Sequence, residues 1–341
     1  DDFDTSGEFY VDQDGNTYYP IINKNSQELY NDANFDQIFQ DGFFWENNLS
    51  VTGGNANSTI FASLSDLNQE GIIRNNSAYR RTTARVNATH RLSEHIRIKA
   101  STAYTKSTSN RILRGASSSG LYLGLLRTPA DFDNTGYRGD YFASSTASPI
   151  TNRHRSYREP LAADATATYN NPLWTINEQE SLVDVDRFIS SLELTISPTP
   201  WLDLIGRVGL DTYSEWQQQF FTPGSASGTY STGLFEKSLA RNSILNMDYI
   251  AKAGKRFNRN FSGTLLVGFN YNHRKLITDG SEIINFIQFT DVDSGIRDID
   301  NALPENRNVR STFGQERTAG VYTSGTLSAY DMFFLNATLR A

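Results

Sequence analysis

The feature that most constrains this chain is a pair of long alternating runs joined by one tight turn, at residues 183–216: VDVDRFISSLELTISPTPWLDLIGRVGLDTYSEW. Before the turn Phe188, Leu192, Leu194 and Ile196 share one face, and Arg187, Ser191, Glu193 and Thr195 share the other. After it Leu202, Leu204, Val208 and Leu210 alternate with Asp203, Arg207, Gly209 and Asp211. Alternation with a period of two is the signature of a strand with two unlike faces. Pro198 and Pro200 interrupt a ladder of hydrogen bonds, which places the reversal at Ser197–Pro200. Each arm is about fourteen residues long, where a globular strand usually has five or six.

The same pattern recurs along the chain. Ala84, Val86 and Ala88 alternate with Arg85, Asn87 and Thr89, and Ile96, Ile98 and Ala100 with Arg97, Lys99 and Ser101. Further on, Leu265, Val267, Phe269 and Tyr271 form one stripe, and Phe333, Leu335, Ala337 and Leu339 another. The reading gives about ten strands in successive hairpins, at 44–67, 79–108, 183–216, 238–275 and 313–340. Short turns fall near 53–57, 93–94, 197–200, 258–260 and 328–331, and every other connection is longer. Strict alternation of short and long connections is the rule for transmembrane barrels. Strands of nine or more tilted residues are what a bilayer requires. Tyr104, Trp201, Tyr213, Trp216, Phe257, Phe261, Tyr271 and Phe333 lie near strand ends, where a barrel carries its aromatic girdles. The expected fold is therefore all-β: an antiparallel transmembrane β-barrel segment with long extracellular loops. A soluble sandwich shows similar alternation, so a soluble β-rich glycan-binding module is the competing reading.

Composition narrows the function. No run approaches the ~18 apolar residues of a membrane-spanning helix, and a barrel needs none. The net charge is −7, which argues against nucleic-acid binding. There is no cysteine, so disulfides, thiol chemistry and cysteine metal sites are excluded. His90, His95, His154 and His273 are scattered, and nothing links a serine to a histidine and a carboxylate, so no enzyme and no cofactor are expected. Asp2-x-Asp4-x-Ser6-Gly7 opens like a calcium loop, but Gln13 stands where the bidentate glutamate belongs. Asp291-x-Asp293-x-Gly295 is similar, and both read as solvated acidic loops rather than metal sites. Residues 1–42 form a polar, turn-rich lead-in. Residues 109–181 show no sustained alternation, apart from a helical turn or two over Ser119–Arg127, and read as one long extracellular loop of a barrel spanning 43–341.

One stretch adds a family resemblance. Residues 47–72, NNLSVTGGNANSTIFASLSDLNQEGI, closely resemble the SusC/RagA family of TonB-dependent outer-membrane transporters, with its S-x-x-G-G strand end, its F-x-S-L strand and its Q-E-G-I loop. The likeness continues at Tyr79–Thr82, Asn170–Trp174, Arg187–Ser191, Trp201–Leu202 and Tyr330–Arg340. It implies a plugged barrel of roughly 22 strands, of which this chain would be a mid-barrel piece without plug, TonB box or C-terminal strands. It further implies an outer-membrane location and energised import of a glycan, oligosaccharide or peptide. The partners would be a SusD-like lipoprotein, the TonB–ExbB–ExbD complex and outer-membrane lipid. The candidate ligand contacts are loop aromatics and amides: Tyr122, Asn171, Trp174 and Trp216. Asn170–Trp174 reads equally as a structural corner between loop and strand. A structural or docking subunit of a larger complex, without transport, is the alternative function.

Overall fold

The computed structural model describes residues 1–25, 32–113, 115, 117–228, 230–289 and 296–341. Four short strands come first: β1 (Asp2–Phe3), β2 (Phe9–Asp12), β3 (Thr17–Tyr18) and β4 (Ile21–Asn23), followed by helix α1 (Ala33–Asp36). The wall begins with β5 (Phe44–Gly54), β6 (Ser58–Gln69), β7 (Tyr79–Ser93) and β8 (Ile96–Asn110). The next connection holds α2 (Leu121–Arg127), β9 (Arg138–Phe142), β10 (Ile150–His154) and α3 (Pro172–Asn177). The wall then resumes with β11 (Gln179–Thr199), β12 (Leu202–Phe221), β13 (Leu234–Arg256), β14 (Phe261–Ile284), β15 (Arg307–Ala329) and β16 (Phe333–Arg340).

The ten wall strands make one antiparallel meander, in the order β16-β15-β14-β13-β12-β11-β8-β7-β6-β5. Its register carries the apolar stripe of each strand onto the next. Leu49 faces Leu64, Leu64 faces Ala84, and Ala84 faces Tyr104. Farther along, Ile98 faces Leu194, Leu194 faces Gly206, Gly206 faces Tyr249, Tyr249 faces Phe269, and Phe269 faces Val321. A one-residue slip anywhere would turn a whole stripe to the other face. This face leaves Leu49, Leu194, Tyr249, Phe269, Val321 and Leu335 exposed. That is costly in water and favourable against lipid. On β8 the stripe runs from Ile96 to Tyr104 and on β14 from Phe261 to Tyr271, the nine to eleven residues that span a bilayer core. None of the described helices is long and apolar enough to cross a membrane.

The structure moves several boundaries. The β11 ladder runs on to Thr199, and the turn is Pro200–Trp201 rather than Ser197–Pro200. The register shifts between Ile196 and Thr199, so Pro198 sits in a bulge where no amide donor is needed. The Ser197 amide beside it still donates to the His95 carbonyl (2.8 Å). Strands β11 to β15 also extend farther toward the long loops than the alternation suggests. The described residues between 111 and 178 fold as well: β9 and β10 join β2 and β3 in a four-stranded sheet. That sheet ties residues 9–18 of the polar lead-in to the long connection. The girdle is correct at the short-turn end, where Trp201, Phe257, Phe261 and Phe333 are exposed and Phe261 meets Tyr330 edge to face. Tyr213 does not belong to it. Tyr213 pairs with Arg187 and Asn242 on the polar face.

Candidate functional site

The polar face of the wall carries cross-strand rungs of charge. Lys99 faces Glu193, Glu193 faces Arg207, Arg207 faces Asp248, and Asp248 faces Asn270. Arg207 Nε donates to Glu193 Oε2 (2.6 Å), and Asn270 Nδ2 donates to Asp248 Oδ1 (2.9 Å). Toward the long-loop end Arg187 grips Asp211 with two parallel bonds, Nε to Oδ1 (2.9 Å) and Nη2 to Oδ2 (2.6 Å). Arg310 pairs with Glu236 on the same face. These pairs are partly solvated, and such a face suits a water-filled interior.

At the long-loop end this polar face is covered by a packed module. Its apolar centres are Ile38, Ile73, Leu121, Leu125 and Ile176 in one cluster, and Tyr10, Leu161 and Ala162 in another. Between them lies a buried polar hub. Asn171 caps α3, its Oδ1 accepting from the Leu173 amide (2.9 Å), with Pro172 at the first helical position. Its Nδ2 donates to the carbonyls of Asn134 (3.0 Å) and Arg155 (3.1 Å). Its own amide donates to His154 Nε2 (2.9 Å), while His154 Nδ1 donates to the Gly224 carbonyl (3.0 Å). These two bonds specify the neutral imidazole with its proton on Nδ1. The ring stacks on Trp174 at 4.2 Å, and burial pushes the His154 pKa down to about 3. Trp174 Nε1 donates to Ser225 Oγ (3.0 Å), and Gly224, at φ +99°, lies against the indole where a side chain would be strained. Tyr137 meets Trp174 edge to face, and burial pushes its phenol up to about 12.

A second latch joins the lead-in to the module. The Arg155 guanidinium lies 4.0 Å from the Tyr18 ring centre and 4.5 Å from that of Phe132. It donates to the carbonyls of Asp133, Thr135 and Pro160. Burial would raise the pKa of the neighbouring Asp12. Hydrogen bonds from Asn16, Tyr18 and the Asp14 amide outweigh it and hold the carboxyl below its usual range.

The structure separates the four sequence candidates. Asn171 and Trp174 are fully buried and committed to the hub, so they offer no surface to a ligand. Tyr122 is exposed on α2. Trp216 faces Asp184 and Leu239, and its alternation with Leu204 and Leu210 puts it on the lipid-side face, above the apolar stripe rather than inside the wall. His154 and Arg155, which hold the module together, carried no sequence signal beyond their type. The capping pair Asn171-Pro172 did carry one. In the first acidic loop Asp4 Oδ1 accepts from the Ser6 amide (2.9 Å) and hydroxyl (2.6 Å). Asp291, Asp293 and Gly295 lie outside the described residues.

No protein-family model and no curated protein sequence matches the chain. Solved structures do. The RagAB peptide importer in its "closed-closed" state aligns with a TM-score of 0.65 and 14% identity, over 90% of this chain and 32% of that one. A second structure, of the RagAB peptide transporter, gives 0.68 and 12% over the same shares. The siderophore receptor PiuA from Acinetobacter baumannii gives 0.50 and 12%, over 98% of this chain and 41% of that one. The chain thus spans about a third of the length of the RagAB chains it matches. At these identities the likeness is one of fold. The chain has the antiparallel transmembrane-barrel fold of outer-membrane importers and receptors.

Proposed function

We propose that this chain is barrel wall and loop assembly of a SusC/RagA-type, TonB-dependent importer that brings an oligomeric nutrient, a glycan or a peptide, across the outer membrane. The observation that carries this reading is the pairing of one uninterrupted lipid-facing stripe with a charged inner face, capped at the long-loop end by a folded module. A structural subunit needs the stripe but has no use for paired charges along a water-filled interior. The fold shared with the RagAB peptide importer supports the same reading. The strand edges at β5 and β16 would be paired by further strands, because open edges cannot be satisfied in lipid. The long-loop end would face outward, in the usual barrel orientation. The 109–181 module would meet the nutrient and a SusD-like lipoprotein there, with Tyr122 as its aromatic contact. Energy would come from the TonB–ExbB–ExbD complex.

The test is uptake by cells carrying the full-length protein. Labelled oligopeptides and oligosaccharides should accumulate in a TonB-dependent way, and a SusD-like lipoprotein should co-purify. Tyr122→Ala should lower capture severalfold with the barrel intact. Equal uptake with and without the protein, together with no lipoprotein partner, would refute the proposal.

A further inference from the structure

Just above the lipid-facing stripe, the outward face of three adjacent strands carries Arg241 on β13, Lys275 on β14 and Arg317 on β15. Their alternation with Leu245, Tyr271 and Val321 puts them on the same face as the stripe, and all three are exposed. They sit on successive rungs: Arg241 opposite Ile277, Lys275 opposite Gln315, and Arg317 opposite His273. Successive rungs here mean one level. The rung of Ile96, beside the β7–β8 turn, passes through Ile196, Leu204 and Ala251 to Val267, well short of Phe261 at the β13–β14 turn. The short-turn rim therefore steps across the rungs, as the tilt of barrel strands requires. A line parallel to that rim crosses Arg241, Lys275 and Arg317 in turn.

Among the described residues none of the three has a carboxylate partner. The nearest carboxylates on this face make their contacts elsewhere. Asp186, on the rung of Ser214 and Arg241, takes Lys106 (3.7 Å) and the Tyr104 hydroxyl. Asp279 accepts from Ser311 Oγ (2.7 Å). The other neighbours carry no negative charge: Arg241 stands between Ser214 and Ile277. With its amide turned to suit both, Gln315 accepts from His273 Nε2 (2.6 Å) and Arg317 Nη2 (2.8 Å), and Lys275 Nζ lies 5.7 Å from the Phe313 ring centre. A row of three exposed cations without ion pairs, directly above a hydrocarbon-facing stripe, is complementary to a molecule with acyl chains below and negative charge at that height.

We infer that Arg241, Lys275 and Arg317 form a binding row for the phosphate-bearing headgroup of an outer-leaflet lipid. The inference rests on the outer-membrane reading above, with the long loops outside. Each cation at an anionic membrane surface strengthens binding about fivefold, so three together give about a hundredfold.

The experiment places the full-length protein in phosphatidylcholine nanodiscs doped with phosphorylated lipid A or with its dephosphorylated form, and counts retained lipid by native mass spectrometry. The wild type should retain the phosphorylated form about a hundredfold better. The combined Arg241→Gln, Lys275→Gln and Arg317→Gln variant should lose that preference, and each single variant about fivefold of it. Heat-modifiable migration checks that each variant is folded, and the singles decide the matter should the triple variant not fold. Equal retention of both lipids, an unchanged triple variant, or displacement by millimolar inorganic phosphate would overturn the inference. A protein that needs detergent and migrates as a barrel but shows no lipid preference would sink this inference and leave the importer reading standing.

Discussion

His154 makes the long-loop module sensitive to acid, and the size of the effect can be worked out. The imidazole is buried and neutral, with a pKa of about 3 against 6.5 when exposed. The unfolded module therefore binds a proton that the folded one refuses between those values. The number of protons bound is greater in the unfolded state, so stability rises with pH through the window from 3 to 6.5 and falls as the solution is acidified. Above about 6.5 neither state is protonated and the term vanishes. At pH 5 the loss is about 2 kcal/mol, and across the whole window it approaches about 5 kcal/mol. The cause is geometric: a second ring proton would fall on Nε2, which already accepts from the Asn171 amide, while Trp174 stacks on the ring and keeps water from solvating the charge. Hydrogen exchange of residues 150–178, corrected for intrinsic rates, reads this directly. The opening free energy should fall by about 2 kcal/mol between pH 7 and pH 5, while the wall strands stay protected. In His154→Gln, which cannot titrate, the slope should disappear whatever the starting stability. A flat profile in the wild type, or the same slope in the variant, would refute the reasoning.

Other substitutions test the packing. Asn171→Ala removes the α3 cap and leaves two buried carbonyls without their donor, which should cost the module about 2–4 kcal/mol by hydrogen exchange. Gly124→Ala sets two effects against each other: alanine is favoured in a helix by about 1 kcal/mol, but a Cβ there would stand 2.1 Å from the Asn170 carbonyl oxygen. The clash is with backbone, so the module should loosen rather than stiffen, seen as faster proteolysis between 111 and 178. Arg207→Met breaks a solvated pair with Glu193 and should change unfolding stability by less than about 1 kcal/mol. Any larger effect of that variant should appear in uptake rather than in the heat-modifiable shift.

The wall was legible because its physics is periodic. A two-residue repeat decides which side chains meet lipid, so Phe188, Leu192 and Leu194 could be separated from Arg187, Glu193 and Arg207 without coordinates. The turn at Pro200–Trp201 was misplaced because a bulge lets Pro198 stay within the ladder, and a bulge leaves no sequence mark. The loop module was opaque for a different reason. His154 is held by Gly224 and Asn171, Arg155 by Tyr18 and Phe132, and β9 by β2. All of these contacts join residues at least 17 positions apart in the chain. Asn171 shows the limit well: the same amide that suits a sugar or peptide also suits a helix cap, and only burial distinguishes them.

Periodicity alone would also mislead at the far end of the wall. Phe220, Phe235 and Ile283 continue the parity of the lipid stripe, register partner by register partner. Strand β14 has 24 residues. At about 3.3 Å per residue and a tilt near 45° it rises roughly 55 Å, about twice the height of a barrel's apolar band. Phe261 and Ile283 therefore cannot both lie in hydrocarbon. The structure resolves this by covering the upper cluster: Phe286, Phe289 and Ile299 pack over Phe220, Phe235, Ile283 and Ala302. Arg297 lies over the Phe220 ring and pairs with Glu180 (3.2 Å). Phe286, Phe289, Arg297 and Ile299 thus pack on the outward face of the wall, while Gln179 on the inward face meets the Ser119 carbonyl of the loop module. Parity therefore fixes which face a side chain takes, while strand length and what packs over that face decide whether it meets lipid.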